Sequence, residues 1–269
     1  MKGLCERYGV TRAGYYAWRR RVISRHERVD ERLSAWIAAV WRASDGTYGS
    51  PRIHEALRQA GLAVGRKRVA RLMRDVGLKA RSARIYRRTT GTRTFFAGVP
   101  NRILGRETTA ANQIWVGDVT YLRCGQRWRY LAVVMDRHSR RILGWSLGGT
   151  RDLSLTLDAL NRAVRRQRSL AGLIFHSDRG SEYAAYAYRT RLAALGITQS
   201  MKRPREIGDN AFAESLFHTL KADAIHAHTF ENDRQLQTTV RAYIHRYNRT
   251  RLHSSLGYRS PIDYERAAA

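Results

Sequence analysis

The succession of hydrophobic periods that begins at residue 113 constrains this chain most. QIWVGDVTYLR (113–123) is rich in β-branched and aromatic residues and reads as a strand. WRYLAVVMDRHSR (128–140) and RILGWSLGG (141–149) follow at hairpin spacing, which predicts a three-stranded antiparallel meander. DLSLTLDALNRAVRRQ (152–167) switches to a helical period, with Leu153, Leu157, Leu160 and Val164 turned inward. GLIFHSD (172–178) is a short apolar strand. SEYAAYAYRTRLAALG (181–196) is a helix stopped by Gly196, and ITQSM (197–201) is a further strand. DNAFAESLFHTLKADAI (209–225), capped by Asp209 or Asn210, and ENDRQLQTTVRAYIHRYN (231–248) are helices. A meander followed by helix, strand, helix, strand and helix builds an α/β domain with a mixed five-stranded sheet.

Ahead of residue 113 the pattern is helical and basic. Residues 1–110 hold 25 basic and 8 acidic residues, and residues 111–269 hold 25 and 14. LCERYGVTRAGYYAWRRR (4–21) reads as a helical pair turning at Gly9, and it starts abruptly, as if an upstream segment preceded it. Leu33, Trp36, Ile37, Val40 and Trp41 share one helical face. In SPRIHEALRQAG (50–61), Ser50 is the expected N-cap, Pro51 the first helical residue and Gly61 the stop. GRKRVARLMRDVGL (65–78) carries an apolar stripe of Val69, Leu72, Met73 and Val76, ended by Gly77. Arg66, Lys67, Arg68, Arg71 and Arg74 lie along the same helix. Two short helices with a tight connection and a basic second helix form a small all-α helix-turn-helix region. The expected organisation is a DNA-binding region over 1–80, a basic linker over 81–112 and an α/β core over 113–269.

The formal net charge is +28, nearly all of it arginine, which pairs bidentately with phosphate and stacks on bases. A chain this basic points to a nucleic-acid partner. No run of 18 apolar residues exists, so no membrane span is expected. The N-terminus lacks the apolar stretch of a signal peptide, and Cys5 and Cys124 form no disulfide or zinc pattern. These features predict a cytoplasmic protein with reduced thiols, working on the nucleoid. No G-x-x-x-x-G-K-[ST] is present, so ATP hydrolysis is not indicated. His176, Ser177 and Asp178 are consecutive and form no hydrolase triad that way.

Against that charge, the placement of three acids is informative. Asp118 sits mid-strand in WVGDVTYL, Asp178 ends the GLIFHSD strand, and Glu214 lies in the helix after it. A carboxylate in an apolar strand is costly unless paired or metal-bound. The element order is that of a ribonuclease-H-like fold, in which the first and fourth strands are neighbours and their carboxylates share one site. Carboxylate oxygens suit Mg²⁺ or Mn²⁺, and two such ions can hold the attacking and leaving oxygens of a phosphoryl transfer. Lys221, seven residues after Glu214, shares its helix face and is a candidate DNA contact.

These residues also carry a resemblance. Thirty-five residues, 179–213, separate Asp178 from Glu214, the D-D-35-E pattern of integrase cores. WVGDVTYL, HSDRGSEY, GDNAFAESLFHTLK and YNRTRLHSSLGYRSP (247–261) resemble the IS-three family of bacterial insertion-sequence transposases, in its second-reading-frame product, OrfB. TYGSPRIHEALRQAGLAVGRKRVARLMRDVGLKA resembles that family's helix-turn-helix segment. The resemblance implies a ribonuclease-H-like integrase core that cuts at inverted-repeat ends and joins 3′-hydroxyls to DNA phosphates. It implies Asp118, Asp178 and Glu214 as catalytic metal ligands for two Mg²⁺ ions (or Mn²⁺) when DNA is bound. It implies Lys221 as a DNA contact beside Arg66, Lys67, Arg68 and Arg71, while Arg179, next to Asp178, is positioned to contact either DNA or a core acid. It further implies an upstream-frame partner protein or fusion, and a multimer on DNA. The alternative is an inactive or truncated transposase acting as a DNA-binding regulator. The sequence departs from the family pattern at Glu182, where glutamine is common, and at Gly208, where an aromatic is common. The lack of an N-terminal His/Cys zinc module separates it from retroviral integrases. For Asn248, Arg249, His253 and Tyr258, in the C-terminal signature, DNA contact and packing of the last helix stand as equal alternatives, with Arg249 and His253 the candidates for DNA.

Overall fold

Strand-forming residues produce the expected meander in the computed structural model, which describes residues 1–20, 24–81, 98–165, 167, 169–204, 210–226 and 228–268. β1 (Ile114–Cys124), β2 (Arg127–Asp136) and β3 (Ile142–Gly148) pair antiparallel in sequence. β4 (Ile174–Ser177) then pairs parallel with β1, and β5 (Thr198–Met201) parallel with β4, giving the order β3-β2-β1-β4-β5. The chain divides into two compact units, Met1–Ala80 and Arg81–Ala269.

The first unit contains α1 (Lys2–Arg7), α2 (Arg12–Arg19), α3 (Arg25–Ala43), α4 (Ser50–Gln59) and α5 (Arg66–Asp75). Helices α3, α4 and α5 pack on one another, burying Leu33, Ile37, Ile53, Leu57, Val69, Leu72 and Met73. A capping box starts α3, with Ser24 Oγ accepting from Glu27 N–H and Glu27 accepting from Ser24 N–H. Three local expectations change. Gly49, not Ser50, is the N-cap of α4, because Pro51 at the second helical position places Ser50 inside the helix. Trp36 is exposed, since Leu33 and Ile37 already fill the contact with α4 and α5. Val76 ends α5 and is exposed as well.

In the second unit the sheet is sandwiched between helical layers. Period-2 alternation sends Leu122, Leu131, Val133 and Met135 to one face. There they meet Leu216 and Leu220 of α9 (Ala211–Leu220), and Leu236, Val240 and Ile244 of α10 (Asp233–Arg249). Trp115, Ala132, Val134 and Phe175 face the opposite layer. That layer comprises α6 (Leu153–Val164), α7 (Ser181–Ala184) and α8 (Tyr186–Ala194). Sequence periodicity predicts one helix over 181–196, but Ala185 is extended (ψ 140°) and divides it in two. Two glycines permit close approach: a Cβ on Gly144 would lie 2.1 Å from the Ala159 carbonyl of α6, and one on Gly117 would lie 2.3 Å from the Phe175 ring. After α9 a single π-helical turn, Lys221–Ile225, precedes the chain's turn into α10, and α11 (Pro261–Ala268) packs on α10.

Part of the segment expected as a linker is anchored on the core. Arg102 N–H donates to Ser200 Oγ (2.9 Å), Pro100 O accepts from Met201 N–H, and Ile103 is buried with Ile114 and Ile174. Residues 82–97, and Gly208 and Asp209 ahead of α9, lie outside the described residues. Among the described residues no helix is long and apolar enough to cross a membrane, and Cys5 and Cys124 are unpaired thiols.

Candidate active site

The parallel pairing of β1 with β4 runs through Gly117↔Ser177, so the next residues, Asp118 and Asp178, emerge side by side. Asp118 is half-buried and its Oδ1 accepts from Val119 N–H (2.8 Å). Burial, and then the charge of Asp178, push its carboxyl up to about 8. Asp178 turns back to accept from Gly180 N–H (3.0 Å), and burial raises its carboxyl too. The charge of Asp178 therefore makes Asp118 harder to ionise, and that of Glu182 does the same to Asp178.

Glu214 is exposed in the first turn of α9, which packs on β1, and it contributes to the electrostatic field at Asp118. Among the described residues no three Asp, Glu, His or Cys side chains converge closely enough to hold an ion. The two aspartates are brought together and Glu214 stands nearby on the neighbouring helix. Asn210 holds the N-cap position of α9, yet its side chain makes no cap hydrogen bond. Lys221 begins the π-helical turn, with Nζ 4.4 Å from the centre of the Tyr121 ring. Burial lowers its ammonium, opposed by the charge of Asp118, which places it in the field of the site.

The other sequence candidates separate into free and engaged side chains. Arg179 donates from Nε to Lys202 O (2.8 Å) and from Nη2 to Val99 O (3.0 Å), so it braces the loop behind Asp178. Arg68 and Arg71 both pair with Asp30 (2.7 and 2.6 Å), tying α5 to α3, while Arg66 and Lys67 are exposed. Arg249 is exposed on α10, whereas His253 is buried edge-on against Tyr247, ring centres 4.6 Å apart. Two residues of the C-terminal signature, Asn248 and Arg251, make internal contacts. Asn248 Oδ1 accepts from Ile142 N–H and Nδ2 donates to Ile142 O, both at 2.9 Å, on the outer edge of β3. Arg251 pairs with Asp223 of the π-helical turn at 2.8 Å, both side chains buried. Sequence reasoning missed Arg151, which reaches the site from the loop before α6, 2.7 Å from Glu182 and 3.6 Å from Asp178. An arginine in so basic a chain carries no local signal, and only the sheet topology brings it to the acids.

The fold and site define an integrase-type catalytic core, and this is what the comparisons return. The "Integrase core domain" family matches residues 108–206, a second family of that description matches 195–261, and an "HTH-like domain" matches 28–86. In structure the chain is similar to a simian T-cell lymphotropic virus intasome in complex with PP2A regulatory subunit B56 gamma. That likeness has a TM-score of 0.51 and 14% identity, and covers 85% of this chain and 74% of that one. In sequence it is 38% identical to the insertion element IS600 uncharacterized 31 kDa protein of Shigella sonnei, over 97% of both chains. It is 35% identical to the transposase InsF for insertion sequence IS3A of Escherichia coli, over 98% of this chain and 93% of that one. The chain belongs to the IS3 family of bacterial insertion-sequence transposases.

Proposed function

We propose that this chain is the catalytic transposase of an insertion sequence, cutting at the element's inverted-repeat ends and joining the 3′-hydroxyls to target DNA. The observation that carries this reading is the adjacency of Asp118 and Asp178 on paired strands, with Asp118 raised to about 8. Such a pair is chemically suited to Mg²⁺ or Mn²⁺, since its oxygens are hard donors and its mutual repulsion is relieved by a divalent charge. Glu214 completes the ligand set from α9. Cations bound there would activate the attacking hydroxyl and stabilise the departing oxygen. The protein's own side chains supply orientation. Lys221 would hold a DNA phosphate beside the acids, a role supported by its ammonium lying over the Tyr121 ring in the field of Asp118. Arg66, Lys67 and Arg249 are exposed cations for the duplex backbone. An upstream-frame partner or fusion, and a multimer that unites two DNA ends, complete the assembly.

Strand joining on element-end DNA, with Mg²⁺ or Mn²⁺ and the partner supplied where required, tests this reading. Asp178→Asn or Glu214→Gln eliminates joining while leaving DNA binding intact; full joining by either variant refutes the metal-site assignment. Binding weakens steeply with salt, log K falling by about 0.9 per log unit of salt for each phosphate neutralised.

A further inference from the structure

We propose that Arg151 is the resident counter-ion of the acidic site, anchored by Glu182, and that it sets how readily a divalent cation enters beside Asp178. This rests on the reading of Asp118 and Asp178 as metal ligands. Arg151 comes from the loop between β3 and α6, and its side chain is 41% exposed. Its Nε lies 2.7 Å from Glu182 Oε1, and its Nη2 lies 3.6 Å from Asp178 Oδ2. The guanidinium therefore spans both acids, and its charge extends to Asp118.

Glu182 is built as the anchor. Its side chain is 3% exposed, against 41% for its partner. Its carboxylate presses against Gly180 so closely that a Cβ there would come within 2.7 Å of Oε1. Ser181 Oγ donates weakly to Oε2 at 3.4 Å. With one oxygen on Arg151 and the other facing Ser181, Glu182 is a positioning residue rather than a fourth ligand. The acid that is fixed and the cation that is mobile thus differ in role. Nε stays on Glu182 while the outer nitrogen swings from Asp178 toward solvent or a DNA phosphate. A divalent cation approaching Asp178 meets a positive charge already in place, which lowers its affinity until Arg151 moves aside.

Thermal unfolding of the EDTA-stripped chain, followed while Mg²⁺ or Mn²⁺ is added, reads this directly without any assay of joining. The wild type gains stability to saturation, and Asp178→Asn loses that gain. Arg151→Gln has a lower metal-free melting temperature and a half-saturating cation concentration about three- to tenfold lower. Arg151→Lys, which retains the charge, restores the wild-type value. Where Arg151→Gln does not fold, Glu182→Gln removes the neutralising carboxylate, leaves the guanidinium's charge uncompensated beside Asp178 and raises half-saturation. A half-saturation unchanged or raised in Arg151→Gln, or unchanged or lowered in Glu182→Gln, with the Asp178→Asn control behaving as stated, overturns the role of Arg151. A wild type without any cation response overturns the metal reading and this inference together.

Discussion

Asn248 offers a quantitative test of how the core is closed. Its carboxamide bonds both the N–H and the C=O of Ile142 at 2.9 Å, replacing a neighbouring strand at the free edge of β3. Asn248 is 7% exposed and Ile142 2%, so water does not substitute once the carboxamide is gone. Asn248→Ala strands one donor and one acceptor, each costing about 1–3 kcal/mol. The expected loss is therefore about 2–6 kcal/mol. For a unit of this size, a loss of 1 kcal/mol lowers the melting temperature by about 2–4 °C, so the variant melts roughly 4–24 °C lower. Asn248→Asp is more damaging than alanine, because it turns a carboxylate oxygen toward the Ile142 carbonyl. Chemical and thermal denaturation of the full chain, monitored on the β-sheet signal, measure both. A loss below about 1 kcal/mol for alanine, or an aspartate variant as stable as wild type, refutes the edge-clamp reasoning.

Other consequences are equally specific. Arg251→Met leaves Asp223 buried without its partner and costs about 3–5 kcal/mol by denaturation, while Arg251→Met with Asp223→Leu recovers most of that loss. Gly117→Ala drives a methyl into the Phe175 ring and costs about 1–3 kcal/mol, and it lowers joining further by shifting the strand that carries Asp118. A pH series on metal-free protein reads Asp118. Its carboxyl is raised from 3.8 to about 8, so the folded state holds the proton more tightly than the unfolded one. Stability therefore falls as pH rises through that interval, and Asp118→Asn gains on wild type by up to about 4 kcal/mol at pH 7. Parallel pH curves for the two proteins rule this out.

The parts of the molecule visible in the sequence are those governed by local periodicity. The alternation in WVGDVTYL and the apolar run GLIFHSD fixed two strands, and the element order made them neighbours, which placed Asp118 beside Asp178. Positions whose fate depends on distant partners were not visible. Nothing local in the sequence ties Arg68 and Arg71 to Asp30, about 40 residues earlier, which pairs with both. Arg179 read as a contact for DNA or a core acid, and two backbone carbonyls on other segments take its nitrogens. The π-helical turn at Lys221–Ile225 leaves the helical period intact up to Lys221 and has no signature of its own. Glu182, ambiguous as a letter in HSDRGSEY, gains a meaning only when Arg151 arrives from 31 residues away.

The clamp on β3 also has a clock. Ile142 leaves the ribosome 106 residues ahead of Asn248. At about 5–20 residues per second, the edge of the sheet stands bare for roughly 5–20 s of synthesis. During that interval β3 is an open template for any other nascent strand, and the wait ends only when the Asn248 carboxamide reaches it.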